Sequence, residues 1–286
     1  MSGFVSKGTF NQNTMTWEET ILQLQSNPSF SSLIRDTYLL PNLPTNVERF
    51  RASAEFQETL SLLRRYAPAA HTLLDIGAGN GVASLSLALA GYKVTAAEPD
   101  VSQVVGTGAI KQLADHYQLP QLTIVEAFGE QLPFADGSFD VVYVRQALHH
   151  AADLESFVKE ASRVLKKEGL LLTVRDHVVN NERDKARFLA RHPLHRYYGG
   201  ENAFSLPVYQ AAFENAGLEV VAILRPSGSV LNYDPWSKEV LKQRLSAIFG
   251  SWIVAIPGIM SLGWWLSLRR KEYILGRLFS FVLRKR

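Results

Sequence analysis

Three alternating glycines directly after a short apolar run constrain the fold of this chain more than any other feature. The apolar run, Thr72–Ile76, has the length of a buried strand. The glycines that follow it are Gly77, Gly79 and Gly81. A helical apolar pattern and a second apolar run, Lys93–Ala97, come next, so the segment predicts strand, tight turn, helix and strand. Such glycines let the backbone approach a ligand where a side chain would clash, which predicts a nucleotide-type site.

Two carboxylates indicate which kind of ligand suits the turn. Glu98 follows the second strand, where a carboxylate can accept hydrogen bonds from both hydroxyls of a ribose. Asp75 lies inside the first strand, where it would repel a pyrophosphate at the next helix N-terminus. The third glycine of the dinucleotide fingerprint is also missing, because Val82 and Ala83 follow Gly81. A cationic ligand that carries a ribose, such as S-adenosylmethionine, therefore fits better than a dinucleotide.

The motifs along residues 45–225 resemble those of the class I S-adenosylmethionine-dependent methyltransferases. Residues 74–81 read Leu-Asp-Ile-Gly-Ala-Gly-Asn-Gly and look like motif I of that family. Further matches follow in the same order and spacing at residues 98–100 (Glu-Pro-Asp), 130–140 (Glu-Gln-Leu-Pro-Phe-Ala-Asp-Gly-Ser-Phe-Asp), 148–150 (Leu-His-His) and 168–174. The resemblance implies transfer of a methyl group from S-adenosylmethionine to an oxygen, nitrogen or carbon nucleophile.

The glycine turn and the resemblance together predict a cofactor site of eight residues. They are Asp75, Gly77, Gly79, Gly81, Glu98, Phe128, Gly129 and Arg145. Phe128 departs from the family pattern, in which an acidic residue accepts a hydrogen bond from the adenine amino group, so we expect its ring to stack on or flank the adenine. The Gly129 amide and the Glu130 carboxylate are candidates for hydrogen bonds to the adenine. Arg145 leaves the fourth strand, where it could pair with the methionine carboxylate.

Composition excludes several other classes of site. The chain has no cysteine, which rules out disulfides, thiolate metal ligands and a cysteine nucleophile. The 30 Lys and Arg against 27 Asp and Glu give a net charge of +3, too balanced to indicate a nucleic-acid partner. Residues 1–17 lack the apolar core of a signal peptide, so we expect a cytoplasmic protein. We therefore predict a small-molecule acceptor, no nucleic acid and no metal.

Strand and helix patterns alternate from residue 72 onwards. Predicted strands at 72–76, 93–97, 122–125, 139–144, 170–175 and 218–224 are separated by predicted helices at 82–90, 102–117, 153–166 and 207–216. Such alternation predicts parallel pairing with right-handed crossovers, and ligand sites at the carboxyl ends of the strands. A final antiparallel strand at 276–284 would complete an α/β, Rossmann-like, mostly parallel sheet of seven strands with helices on both faces.

The chain divides into a predicted N-terminal arm and helical cap over residues 1–66 and a methyltransferase domain over residues 67–286. Within the first part, residues 1–14 are polar and predict a flexible arm, whereas residues 48–66 follow the pattern of one amphipathic helix. In the resembled family, N-terminal helices of this kind cover the cofactor cleft.

A stretch without any charge, residues 245–268, precedes the last predicted strand. Its length and apolar character match a transmembrane helix, but Pro257 and three glycines argue against one straight helix. If 276–284 is the last strand, residues 226–275 are an apolar insertion whose two ends return to one sheet, which a single membrane span cannot do. Two interpretations remain: a helical lid over an apolar pocket, or a peripheral anchor over 245–286 on the cytoplasmic face of a membrane.

Histidines after the fourth and fifth predicted strands are candidate general bases. His150 follows the fourth strand, His177 ends the fifth, and His195 falls in a loop that would overhang the pocket. An unperturbed histidine pKa of about 6.5 suits proton transfer near neutral pH, and the pattern does not choose among the three. Proximity and orientation alone can also supply roughly 7–11 kcal/mol of the barrier.

The predicted function is a methyltransferase for a small-molecule acceptor that is apolar or linked to a lipid. One alternative is a methyltransferase for a polar metabolite or sugar, in which the insertion is merely structural. A second is an adenine-nucleotide oxidoreductase, and a third is a binding protein with a non-catalytic cofactor fold.

Overall fold

The structure, a computed structural model, describes residues 15–286, so the predicted flexible arm at residues 1–14 lies outside it. The helices are α1 (Trp17–Ser26), α2 (Ser31–Asp36), α3 (Leu43–Arg51), α4 (Ala54–Tyr66), α5 (Val82–Leu89), α6 (Thr107–His116), α7 (Leu154–Val164), α8 (Glu182–Arg191), α9 (Pro193–Tyr198), α10 (Leu206–Asn215), α11 (Val230–Tyr233), α12 (Lys238–Phe249) and α13 (Ile259–Lys271). The strands are β1 (Thr72–Ile76), β2 (Lys93–Ala97), β3 (Thr123–Val125), β4 (Phe139–Arg145), β5 (Leu165–Val179), β6 (Phe204–Ser205), β7 (Leu218–Leu224) and β8 (Arg277–Lys285).

The strands form one sheet in the order β3-β2-β1-β4-β5-β8-β7, with β6 paired to β5. Strands β1 to β5 pair in parallel, whereas β8 runs antiparallel between β5 and β7. The predicted α/β fold with a mostly parallel sheet and an antiparallel last strand is confirmed. The predicted number of seven strands is wrong, because β5 extends to Val179 and its end pairs with the short strand β6.

The core lies on both faces of the sheet. Leu73 and Tyr143 contribute to an apolar cluster on one face, and Leu74 and Phe281 contribute to a second cluster on the other. Successive side chains of a strand point to opposite faces, so a strand that is buried throughout, such as β1, needs helices on both sides. This arrangement leaves the carboxyl edge of the parallel strands as the place where loops can build a site.

Within the helical cap, residues 48–66, where the periodicity predicted one helix, belong to two helices, α3 and α4. Helix α3 ends at Arg51, and Ser53 begins α4 in extended conformation, its hydroxyl accepting from the Phe56 amide. A serine at an N-cap satisfies one of the free amides of the first turn, which favours a new helix start over continuation. The turn directs Glu55, in the first turn of α4, into the interior, where it is fully buried. The boundary at residue 66 stays a prediction.

The insertion folds into several short helices. Helix α12 ends at Phe249 and is followed by Gly250 (φ 88°). A 3₁₀ turn covers Ser251–Ala255, and α13 begins after Gly258 (φ 80°). Among residues 15–286, no helix is both long and apolar enough to cross a membrane. After α13 the chain returns to the sheet as β8, in agreement with the prediction that both ends of the insertion meet one sheet.

Candidate active site

The glycine turn joins β1 to α5 with a backbone that favours glycine at each alternate position. Gly77, Gly79 and Gly81 have φ angles of 68°, 56° and 80°. A Cβ atom on Gly77 would lie 2.5 Å from the Cβ atom of Ala147, so packing leaves no room for a side chain at this position. A Cβ atom on Gly79 would meet no atom of residues 15–286 within 4 Å. The backbone at Gly79 therefore borders open space, from which a ligand can approach it.

Glu98 follows β2 and is hydrogen-bonded to the glycine turn. Its Oε2 accepts from the Gly79 amide at 2.7 Å and its Oε1 accepts from the Asp100 amide at 2.9 Å. Burial raises the pKa of Glu98 to about 7, although both amide hydrogen bonds oppose the shift. Each carboxylate oxygen has a second lone pair, so the group can still accept from two ribose hydroxyls. These residues fit the ribose end of S-adenosylmethionine.

Asp75 is buried beneath the turn. Its Oδ2 accepts a hydrogen bond from the Ser84 hydroxyl on α5 at 2.5 Å. Burial raises the pKa of Asp75 to about 6, opposed by the hydrogen bonds with Ser84. The carboxylate therefore joins β1 to α5 and adds negative charge to the pocket. Its contact with the ammonium group of a ligand stays a prediction.

The loop after β3 carries the residues that we expect near the adenine. Phe128 is 67% exposed, so its ring is free to stack on a ligand. Gly129 packs against the Phe157 ring, and a Cβ atom there would collide with it. The Glu130 carboxylate accepts from the Ala152 amide at 2.8 Å, which anchors the loop to the start of the next helix. The adenine contacts of Phe128 and Gly129 stay predictions.

Arg145, at the end of β4, has a partner inside the protein. Its guanidinium forms two hydrogen bonds with the Glu55 carboxylate, Nε to Oε1 at 2.5 Å and Nη2 to Oε2 at 3.1 Å. The same group lies over the Phe50 ring, 5.0 Å from its centroid. The predicted pairing with a methionine carboxylate stays a prediction, and Glu55, which already balances the charge of Arg145, would compete with it.

Two of the three predicted histidine bases, His150 and His177, contact the ring of His149, with ring centroids 4.3 Å and 4.7 Å from it. His150 Nδ1 lies 2.9 Å from the Gly200 carbonyl oxygen, and His177 Nδ1 lies 2.6 Å from that of Gly276. A carbonyl oxygen only accepts, so both rings donate through Nδ1 and keep a lone pair on Nε2. Burial lowers the pKa of His177 to about 3, so this ring is neutral. His195 lies apart on α9, and its buried Nδ1 has no hydrogen-bond partner among residues 15–286.

Sequence reasoning missed the group of side chains around His149. This ring, 2% exposed, donates from Nδ1 to Asp176 Oδ1 at 3.1 Å, and its Nε2 lies 3.7 Å from Glu201 Oε2. Burial alone would lower the pKa of His149, but Asp176 and Glu201 raise it to about 9. His192 Nδ1 lies 3.8 Å from Glu201 Oε1. No sequence spacing marks this group, because its members are far apart along the chain and meet only at the sheet edge.

Comparison with known proteins concerns the family of the chain. A family model described as a methyltransferase domain matches residues 74–173. The uncharacterized methyltransferase YcgJ of Bacillus subtilis is 30% identical over 204 residues, which span 68% of this chain and 76% of that protein. The ubiquinone/menaquinone biosynthesis C-methyltransferase UbiE of Nitrobacter hamburgensis is 36% identical over 105 residues, which span 35% of this chain and only 40% of that protein.

A solved structure shares the fold over nearly the whole chain. Geranyl diphosphate C-methyltransferase from Streptomyces coelicolor A3(2), crystallised with S-adenosyl-L-homocysteine, has a TM-score of 0.56 and 16% identity, covering 97% of this chain and 91% of that one. The long match to YcgJ identifies the family of this fold, and the glycine turn with Glu98 has a geometry that fits the ribose of the family's cofactor. The chain therefore belongs to the class I S-adenosylmethionine-dependent methyltransferases.

Proposed function

We propose that this methyltransferase acts on a small acceptor that is apolar or linked to a lipid, and that it meets this acceptor at a membrane surface. The observation that carries the proposal is the exposed apolar surface of the insertion. Six large apolar side chains there are between 52% and 70% exposed: Ile248, Phe249, Trp252, Leu262, Trp265 and Leu266. We call this set the insertion face. Apolar surface of this kind commonly marks an interaction site.

Positive charge accompanies the insertion face. The last turn of α13 carries Arg269, Arg270 and Lys271. The Arg269 guanidinium lies over the Trp265 ring, 5.0 Å from its centroid. Tryptophan rings prefer the level of the lipid headgroups, and arginine and lysine next to them attract anionic lipids. This combination supports a peripheral contact of the insertion with a membrane.

A groove beside the end of α13 supports an amphiphilic acceptor. It has a volume of about 590 Å³ and lies between α8–α9 and the segment that follows α13. Its lining includes the apolar residues Phe188, Pro193, Ile274 and Leu275 and the two arginines Arg191 and Arg270. Grooves of roughly 300–1,000 Å³ suit small organic ligands. The arginines would hold an anionic group of an acceptor whose remainder is apolar.

Different residues of the chain would have different roles in the reaction. S-adenosylmethionine, when bound, supplies the methyl group. Glu98 and the glycine turn would orient the ribose, and the buried carboxylate of Asp75 would favour a cationic ligand. His150, with its Nε2 lone pair free, is the histidine that we propose to take a proton from the acceptor. Orientation of the acceptor by the groove would supply a further part of the rate, since positioning alone is worth roughly 7–11 kcal/mol.

Replacing Trp252 and Trp265 with serine is expected to reduce binding to vesicles at least about tenfold, because each substitution removes a side chain that would anchor the protein at the membrane interface. The measurement is co-sedimentation with vesicles that contain an anionic phospholipid, compared with vesicles of phosphatidylcholine alone. Val208→Ser is the matched control, since Val208 is an exposed apolar residue (46%) on α10. Wild-type protein that ignores both kinds of vesicle would contradict the membrane contact.

The class of acceptor is tested separately with S-adenosylmethionine that carries a labelled methyl group. The enzyme is incubated with a cell extract, which is then partitioned between an organic and an aqueous phase. The proposal expects the label in the organic phase. Label in the aqueous phase alone would favour the alternative, a methyltransferase for a polar metabolite or sugar. Binding of NAD without S-adenosylhomocysteine would favour the oxidoreductase instead.

Binding of S-adenosylhomocysteine is expected to weaken on the order of tenfold between pH 8 and pH 6. The pKa of Glu98 is raised to about 7 and that of Asp75 to about 6, so both lose charge in this window. A carboxyl group whose pKa is raised by folding does not destabilise the free protein as pH falls through that pKa, so unfolding is not the cause of the loss. Calorimetric titration at the two pH values measures the change. Equal affinity at both would show that neither carboxylate acts on the ligand.

A further inference from the structure

We propose that His149, His177 and Glu201 form a binding site for a divalent transition metal of the zinc class, with His192 as a fourth donor. One ligand atom from each of the first three lies within 4.8 Å of the other two. His149 follows β4, His177 lies in β5, and Glu201 lies just before β6, so the sheet edge brings them together. The site goes beyond the proposed function, and it differs from the sequence-based expectation of no metal.

The rings of His149 and His177 are held in the orientation that metal binding requires. His149 Nδ1 lies 3.1 Å from Asp176 Oδ1, and His177 Nδ1 lies 2.6 Å from the Gly276 carbonyl oxygen. Both oxygens accept, so each ring donates through Nδ1 and directs its Nε2 atom elsewhere. Histidines that bind metals almost always donate their second ring nitrogen to a carboxylate or a carbonyl in this way.

Two ring nitrogens that could bind a metal face the Glu201 carboxylate but are not hydrogen-bonded to it. His149 Nε2 lies 3.7 Å from Glu201 Oε2, and His192 Nδ1 lies 3.8 Å from Glu201 Oε1, both too far for a hydrogen bond. The His192 Nδ1 atom is buried and has no hydrogen-bond partner in the part of the chain that the structure describes. A zinc ion with bonds of about 2.0–2.1 Å holds tetrahedral ligand atoms ~3.3 Å apart. Small side-chain rotations would therefore bring these donors to bonding distance around one ion.

The charge of the group also favours a cation. Asp176 and Glu201 are 0% and 6% exposed, and a buried carboxylate is normally paired or bound to a metal. Within residues 15–286, their ion-pair partners are histidines rather than lysines or arginines: His149 for both, and His150 and His192 for Glu201. One divalent ion would balance both carboxylates and leave every ring neutral.

The donor set selects the class of metal, and its position indicates what the metal could contact. Three imidazoles and one carboxylate suit Zn²⁺, Co²⁺ or Ni²⁺, whereas Mg²⁺ prefers oxygen ligands. Ala147, two residues before His149, packs against Gly77 of the cofactor turn. His192 also lines the groove beside α13. An ion here would thus lie beside the groove, on its His192 side.

The test is titration of the EDTA-treated, full-length protein with Zn²⁺ by calorimetry, together with Co²⁺ binding followed by its visible absorption. We expect one equivalent of Zn²⁺ to bind, an increase in Tm with Zn²⁺ but not with Mg²⁺, and a Co²⁺ spectrum typical of nitrogen ligands. Glu201→Gln and His177→Gln should each weaken Zn²⁺ binding at least about 100-fold. The control is a double variant, His71→Gln with His116→Gln, which removes two exposed histidines outside the cluster.

Two outcomes would overturn the proposal, and a third would remove His192 from the site. The first is wild-type protein that binds no Zn²⁺. The second is Zn²⁺ binding that survives in Glu201→Gln and His177→Gln but is lost in the control, which would place the ion on the surface. The third outcome concerns His192→Gln, a variant at the edge of the cluster that serves if the other variants fail to fold. It should alter the Co²⁺ spectrum, and an unchanged spectrum would exclude His192 as a metal ligand. None of these readouts uses a methyl donor or an acceptor, so they are independent of the proposed function.

Discussion

Replacing Glu98 with glutamine is expected to weaken binding of S-adenosylhomocysteine about 100-fold, which corresponds to roughly 2.7 kcal/mol. The carboxylate lies at the tip of β2, and a hydrogen bond to a charged group contributes about 1.5–3 kcal/mol. Glutamine keeps one acceptor and replaces the other with a donor. Because Glu98 accepts from the Gly79 and Asp100 amides, that donor would also face a backbone N–H. Calorimetric titration measures the loss directly.

The matched control for this variant is Glu214→Gln, which removes an exposed carboxylate on α10. It should bind S-adenosylhomocysteine as the wild type does. Circular dichroism should show the same fold for both variants, since Glu98 is a single side chain at the sheet edge. Wild-type affinity in Glu98→Gln would mean that the ligand does not use this carboxylate, and that the cofactor lies elsewhere along the turn.

The sheet could be predicted because its strands are buried on both faces. A strand such as β1 needs a mostly apolar run, and such runs alternate here with helical patterns of the right length. Alternation then dictates parallel pairing, and parallel pairing places Gly79 and Glu98 at one edge. The candidate cofactor site thus followed from local patterns, because its main residues directly follow two adjacent strands.

The details that escaped prediction depend on contacts between distant residues. Strand β6 has only two residues, and its pairing with the end of β5 is a consequence of the fold rather than of local propensity. The group around His149 is similar, since Glu201 belongs to no motif and gains its neighbours only through that fold. The break between α3 and α4 is different: Ser53, followed by a helical pattern, is a cap that the sequence does contain.

Glu55 was missed for a physical reason. In an amphipathic pattern a glutamate belongs to the solvent side, yet here its carboxylate is fully buried between two arginines. It contacts Arg145 through two hydrogen bonds and Arg175 Nη1 at 3.4 Å. Burial alone would raise the pKa of Glu55, but the charges of Arg145 and Arg175 outweigh it and lower the pKa. The group is therefore ionised at neutral pH, and its contribution to stability is lost as pH falls through the lowered value.

Replacing Glu55 with alanine is expected to lower the free energy of unfolding by about 3–5 kcal/mol, because it leaves two mostly buried guanidinium groups without their counter-charge. The arginine side chains are only 11% and 12% exposed, so water cannot replace the lost partner. Urea unfolding followed by circular dichroism gives the difference. The control is Asp36→Ala, which removes the partner of Arg35 in an ion pair whose side chains are 58% and 35% exposed. Exposed pairs contribute about 0–1 kcal/mol.

The comparison of these two variants also decides the role of Arg145. If Glu55→Ala destabilises the protein far more than Asp36→Ala, the charge of Arg145 stabilises the fold by pairing with Glu55. We then expect the ligand's carboxylate to pair with another residue. If the two variants cost the same, Arg145 does not depend on Glu55. Its guanidinium, at the end of β4 on the same sheet edge as the glycine turn, would then be free to pair with that carboxylate, and Arg145→Gln should weaken S-adenosylhomocysteine binding without changing stability.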